Sequence, residues 1–232
     1  MSKNKGYCHC CRSQTFFEEL GPWLRDQYVC ITCNSIPRQR HLNYIMDSEI
    51  PNWENLLIHE SSPSNDFIKR HSNYYSHSQF FPEIKLGDQK NGIRSENLER
   101  LTYPNSTFDI FITQDVLEHV FNPDIAVKEI MRVLKTGGIH IFTAPKNNLI
   151  KKSYPRAKLV KDNVIDYLCD KQYHGSPIGD GQSLVTWDYG KDFEQLLNQW
   201  SRCSTVTYVT RDRELGIDGE YLEVFLTTKN IL

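Results

Sequence analysis

From residue 51 onward, short apolar runs alternate with helical patterns, and no other feature narrows the fold so far. The runs are Asn55-Leu56-Leu57-Ile58-His59, Ile93-Arg94-Ser95, Phe108-Asp109-Ile110-Phe111-Ile112-Thr113, Ile139-His140-Ile141-Phe142-Thr143 and Tyr221-Leu222-Glu223-Val224-Phe225-Leu226. Between them, Ile125, Ala126, Ile130, Val133 and Leu134 share one face of a helix over 123–134, which Gly137-Gly138 closes. Phe193, Leu196, Leu197 and Trp200 mark a second helix over 191–200. Strand, helix, strand in succession is the signature of βαβ units, so the expectation is an α/β doubly wound, mostly parallel sheet.

The first 50 residues follow different rules. Five of the seven cysteines fall within the first 33 residues, as Cys8-His9-Cys10-Cys11 and Cys30-Ile31-Thr32-Cys33, two C-x2-C pairs with 18 residues between them. A pair at a tight turn aims two thiolates at one point, and two pairs complete the tetrahedral sulfur shell that Zn2+ prefers. The expected ligands are Cys8, Cys11, Cys30 and Cys33, with Cys10 or His9 substituting if the first knuckle is shifted, and unmetallated thiols as the other reading. Four protein ligands leave no open position, so such a metal is structural. Phe16, Phe17, Leu20, Trp23, Leu24 and Tyr28 are the expected small core around it, because so short a segment rarely buries enough surface unaided. Pro37 then opens a helix running to about residue 46, on which Arg38 and Arg40 are either solvated or contacts for an anionic ligand. The expected boundary lies near Pro51, giving a zinc ribbon with its linking helix over 1–50 and the α/β domain over 51–232.

Charge and hydropathy restrict the partners. A net charge of -2 and a pI near 6.4 give no global reason to expect binding to nucleic acid or to an anionic membrane. No apolar run approaches the roughly 20 residues that cross a bilayer, and the opening residues lack the apolar core of a secretion signal, so the expected location is cytoplasmic.

In an open parallel sheet, ligands bind beyond the carboxyl ends of the strands. The loops to inspect follow Ile58, Ser78, Ser95 and Thr113. Three segments, Tyr103-Pro104-Asn105-Ser106-Thr107-Phe108-Asp109, Asp115-Val116-Leu117-Glu118-His119-Val120 and Glu129-Ile130-Met131-Arg132-Val133-Leu134-Lys135-Thr136-Gly137-Gly138, occur in an order that resembles class I S-adenosylmethionine-dependent methyltransferases of the type 11 group. Thr136 stands where that group usually has proline. The zinc module with Ser35-Ile36-Pro37-Arg38-Gln39-Arg40, and the tail from Tyr173-His174-Gly175-Ser176-Pro177 to Thr186-Trp187-Asp188-Tyr189-Gly190, resemble a bacterial subgroup associated with glycan synthesis.

The resemblance implies a seven-stranded Rossmann-like methyltransferase sheet and a site for S-adenosylmethionine. Glu60, Ser61, Ser62 and Pro63 match the loop beneath methionine and ribose, although both glycines of the family's E/D-x-G-x-G are absent. Gln79 matches the position of the acid that holds the ribose hydroxyls, Glu96, Asn97 and Leu98 the segment flanking adenine, and Gln114 and Asp115 the wall from the fourth strand. Asp115, His119 and His174 are the candidates for taking a proton from an acceptor hydroxyl. The long segment 145–188, which carries His174, is the expected acceptor pocket or lid. A small molecule or saccharide is the expected acceptor, and the contrasting expectation is a catalytically weakened fold that serves as a binding scaffold.

Overall fold

The apolar runs of the larger part become strands of one sheet in the computed structural model, which describes residues 2–161, 164–175 and 181–230. Three strands, β1 (Lys3–Cys8), β2 (Ser13–Glu19) and β3 (Tyr28–Cys30), pair antiparallel as a small ribbon, with a single helical turn α1 (Leu24–Gln27) before the last. Helix α2 (Pro37–Glu49) leads to β4 (Leu57–Ser61), α3 (Phe67–His71), β5 (Tyr74–Gln79), β6 (Gln89–Lys90), β7 (Ile93–Ser95) and β8 (Phe108–Gln114). After α4 (Pro123–Val133) and β9 (Leu134–Thr143), three antiparallel pairs follow, formed by β10 (Tyr154–Pro155), β11 (Ala157–Leu159), β12 (Ile165–Tyr167), β13 (Tyr173–Gly175), β14 (Gln182–Leu184) and β15 (Trp187–Asp188). Helix α5 (Phe193–Ser201), β16 (Thr205–Tyr208) and β17 (Val224–Thr228) complete the described chain.

The large sheet has the order β16-β17-β9-β8-β4-β5-β7-β6. β4 pairs parallel with both β5 and β8, while β17 runs antiparallel between β9 and β16. The strand order therefore reverses at β4 and β8, where this class of sheet places its ligands. Buried alternation explains the two layers. Ile58, Ile110, Ile112, Ile141 and Val224 face Leu42, Ile45, Met46 and Trp53 on one side. Phe108, Phe111, Phe142 and Phe225 face Ala126, Ile130, Phe193 and Leu197 on the other. Helix α2 thus joins the layer that covers the sheet.

Several details differ from the sequence reading. The sheet has eight strands rather than seven, because the two residues of β6 add an antiparallel edge. β5, Tyr-Tyr-Ser-His-Ser-Gln, escapes an apolar pattern since polar side chains occupy it, yet backbone pairing with β4 still holds it. Gly137-Gly138 do not stop α4. The helix ends at Val133, and the two glycines sit inside β9, where Gly137 has φ +76°. Of the expected ribbon core only Phe17 and Tyr28 are fully buried, with Leu24 packed alongside, while Phe16, Leu20 and Trp23 are exposed. The ribbon is too thin to have an inside for all six.

Close backbone contact seats the ribbon on the domain. Tyr7 N–H donates to the Glu214 carbonyl at 2.8 Å, and a Cβ on Gly6 would fall 2.0 Å from that same oxygen. Arg40 is fully buried, with its guanidinium donating to the carbonyls of Tyr28, Ser35 and Gly216 and lying over the Phe17 ring. It is neither solvated nor available to a ligand. No helix among the described residues is long and apolar enough to cross a membrane.

Candidate functional site

The four outer cysteines converge. Cys8 ends β1, Cys30 ends β3, and Cys11 and Cys33 lie in the turns that follow. Their sulfurs all stand within 4.8 Å of one another, with Cys8 and Cys33 3.7 Å apart and Cys11 and Cys30 4.0 Å apart. A tetrahedron with metal–sulfur bonds of about 2.3 Å has edges of about 3.8 Å. Hydroxyls of Ser13 and Ser35 lie 3.2 Å from the sulfurs of Cys11 and Cys33. Cys10 is buried outside the group, and His9 turns to Asp47, its Nδ1 2.6 Å from the carboxylate.

Above the sheet, the carboxyl ends of β4, β5 and β7 form a closed polar network. Glu60 is fully buried and accepts from Tyr75 Oη at 2.7 Å and Gln114 Nε2 at 2.6 Å. Burial raises its carboxyl to about 7, against the opposing pull of those two hydrogen bonds. Ser61 is buried. Ser62 adopts φ +55°, a left-handed conformation natural to glycine, and donates its N–H to the Ser78 carbonyl at 2.8 Å. Pro63 follows in the turn. Gln79 is buried at the end of β5, and its carbonyl accepts from Glu96 N–H. The Glu96 carboxylate is consumed by Arg94 Nε at 2.6 Å and by the Thr102 N–H and hydroxyl. Asn97 Oδ1 accepts from Glu99 N–H, and Leu98 packs into the core.

The ends of β8 and β9 open instead onto a cavity of about 740 Å³. Asp115 lies on its wall with φ +51°, paired at Oδ2 with Arg25 Nη2 at 2.6 Å and Arg38 Nε at 2.9 Å, while Oδ1 accepts from the Thr143 hydroxyl. Burial would raise this carboxyl, but the guanidinium charges of Arg38 and Arg25 prevail and hold it at about 2. The opposite walls come from the segment after β9, including Tyr154, His174, Val185 and Trp187. His119 also lines the cavity, and its ring meets that of His174 edge-on with centroids 5.2 Å apart. Of the expected cofactor crevice bordered by Glu60, Gln79, Asn97 and Asp115, only Asp115 faces this space.

Residues 65–142 match the family model described as a methyltransferase domain. Among curated proteins, a ubiquinone/menaquinone biosynthesis C-methyltransferase UbiE from Hydrogenovibrio crunogenus is 43% identical over 83 residues, covering 31% of this chain and 33% of that protein. The same-named protein of Saccharophagus degradans is 40% identical over 57 residues, 23% of each chain. The chain thus spans a third or less of the length of these curated relatives. A solved S-adenosylmethionine dependent methyltransferase from Mesorhizobium loti superposes with a TM-score of 0.52 at 12% identity, over 82% of this chain and 98% of that one. The Burkholderia thailandensis 1,6-didemethyltoxoflavin-N1-methyltransferase, solved with 1,6-didemethyltoxoflavin and S-adenosylhomocysteine, gives 0.50 at 10% identity, over 84% and 79%.

The chain has the class I methyltransferase fold. Within this fold, Asp115, His119 and His174 come together at one cavity, as sequence order alone could not require. Sequence reasoning passed over Arg25 and Glu118. Arg25 arrives from the ribbon, 90 residues away in sequence, and no local pattern announces it. Glu118 is a carboxylate beside His119 in a turn, and its burial there is a tertiary outcome that no spacing announces. In the tail, Ser176 and Pro177 of the resembling segment lie outside the described residues.

Proposed function

We propose that this chain is an S-adenosylmethionine-dependent methyltransferase acting on a small molecule or saccharide, with a hydroxyl as acceptor. The observation that carries the reading is the 740 Å³ cavity over β8 and β9, within the size range of small-molecule sites and at the edge where this fold binds ligands. The charged groups on its wall, Arg25 and Arg38 with Asp26 and Asp115, pair with one another and could exchange those pairs for the carboxylate and ammonium of the amino-acid end of the cofactor. Ser61 to Pro63, Gln79, Asn97 and Leu98, which match the family's methionine, ribose and adenine positions by resemblance, lie off this cavity, so seating the nucleoside against them would require the network at the ends of β4, β5 and β7 to open. Glu96 would act through Arg94 and Thr102, which hold both its oxygens. When bound, the cofactor supplies an electrophilic methyl group.

The remaining work falls to the protein. Trp23, Tyr154, Trp187 and Tyr221 line the cavity and offer apolar rings to the faces of a sugar while excluding water. Asp115 is held as a carboxylate by two arginines and makes a poor proton acceptor, so its part is to hold and orient. The acceptor hydroxyl's proton is left to the cluster around His119 and His174. The cysteine cluster would hold structural Zn2+, fixing the ribbon that brings Arg25 to the site, and thiolate ligation suits a reducing, cytoplasmic setting. The ribbon and the α/β domain would act as two units, with the linking helix before Pro51 packed on the sheet of the larger one.

A scaffold role is favoured by a different observation, that Glu60 and Glu96 are already satisfied by neighbouring side chains. Calorimetric titration with S-adenosylmethionine and S-adenosylhomocysteine separates the two. Saturable binding that is lost in Arg25→Ala supports methyl transfer, and absence of heat at millimolar cofactor removes it in favour of the scaffold.

A further inference from the structure

We infer that Glu118, His119 and His174 form a second metal site, taking a divalent transition-metal ion through nitrogen and oxygen and leaving coordination positions open to the cavity. Glu118 is completely buried, and neither carboxylate oxygen has a hydrogen-bond partner among the described residues. A buried carboxylate without partners is among the costliest groups a fold can carry, unless a cation completes it. Arg25 lies within electrostatic reach of Glu118 but spends its ion pair on Asp115.

What faces Glu118 Oε1 is two imidazoles. His119 Nε2 stands 3.8 Å away and His174 Nδ1 3.7 Å away, too far for hydrogen bonds. Ligands bound about 2.1 Å from one ion are about 3.0 to 3.4 Å apart, so each Glu118–imidazole distance has to close by less than about 1 Å to seat it, in a group whose ligand atoms all lie within 4.8 Å of one another. The tautomer also fits. His119 Nδ1 lies 2.8 Å from the Leu184 carbonyl, and donating to it leaves the Nε2 lone pair turned toward Glu118, the arrangement by which an outer hydrogen bond orients a ligating histidine.

The ligands are held from two directions. Leu117–His119 form a tight turn pinned by Tyr189 Oη donating to the Leu117 carbonyl and Thr186 N–H to that of Glu118, each at 2.7 Å. His174 comes from β13 in the segment that roofs the cavity. Because both imidazoles line that space, an ion there has protein on one side and the cavity on the other, which is the open geometry of catalytic sites rather than the closed one of structural sites. Two imidazoles and a carboxylate suit Mn2+, Fe2+, Co2+ or Zn2+, whereas the four-sulfur cluster rejects the harder ions. Ligation takes both imidazole lone pairs, so with the ion bound neither histidine is the base for the acceptor hydroxyl, and an oxygen of the bound molecule would meet the ion instead.

The inference stands without the methyl-transfer reading, and its test uses no cofactor. The full chain, its cysteine site filled with zinc, is titrated with Mn2+ alone and the free ion is followed by electron paramagnetic resonance; a parallel titration follows the visible spectrum of Co2+. One bound equivalent is expected, weakened at least about tenfold in His174→Ala and in Glu118→Gln. His174 is partly exposed on its strand, so its removal leaves the core intact even if the buried Glu118 substitution disturbs folding. The inference is overturned if neither ion binds up to millimolar concentration, or if binding survives unchanged in His174→Ala.

Discussion

The two halves of the sheet's upper edge solve the same problem in opposite ways. At the ends of β4, β5 and β7, carboxylates are answered from within the sheet and its loops: Glu60 by Tyr75 of β5 and Gln114 of the adjoining β8, Glu96 by Arg94 and Thr102. At the ends of β8 and β9 they are answered from far along the chain or not at all: Asp115 by arginines of the N-terminal segment, Glu118 by nothing among the described residues. A polar network closed on itself stabilises a fold and binds little, while one that depends on distant elements can be opened by what those elements do.

Removing the proposed zinc is the harshest way to break this contrast. Structural zinc contributes on the order of 10 kcal/mol of apparent binding energy in small domains, so chelation or Cys30→Ser is expected to unfold the ribbon. Arg25 then leaves Asp115, and hydrogen exchange accelerates in the ribbon and around residues 112–118, while β4 and β5 keep their protection. Equal acceleration in both halves would show that the network at Glu60 also depends on the ribbon.

A milder comparison sets two carboxylates against each other by pH. Glu60 is raised from 4.5 to about 7, so its folded state prefers the proton: its contribution is complete below the unfolded value and lost as pH rises through 7. Glu60→Gln should therefore match the wild type in acid and exceed it above neutrality by about 3 kcal/mol. Asp115 is lowered from 3.8 to about 2, so its contribution is present above 3.8 and lost as pH falls through 2. Asp115→Asn should cost at least about 2 kcal/mol at neutral pH, a deficit that shrinks in acid. Urea denaturation across pH reads both, and parallel profiles for the two variants would refute the division.

The smallest expected effect is at Ser62. Left-handed backbone costs a side-chain-bearing residue about 1 kcal/mol, so Ser62→Gly should raise stability by up to about that amount in thermal melts. Cofactor titration of the same variant shows whether the missing glycine also limits binding.

The sequence by itself determined the layers and the sulfur cluster. Burial on both faces of a parallel sheet writes itself as apolar runs, and each C-x2-C pair sets two thiolates side by side by short-range turn geometry, while the pairing of β1, β2 and β3 brings the two pairs to one point. The strand β5 stayed hidden because backbone pairing, not side-chain apolarity, holds it beside β4. The site was legible only in part. Asp115, His119 and His174 stood out as chemically able residues, but that Glu60 and Glu96 are consumed, that Arg25 reaches Asp115, and that Glu118 is left without a partner were decided by tertiary structure. The reason is range: periodicity and spacing report what neighbours along the chain do, whereas the satisfaction of a buried charge depends on which distant group arrives beside it.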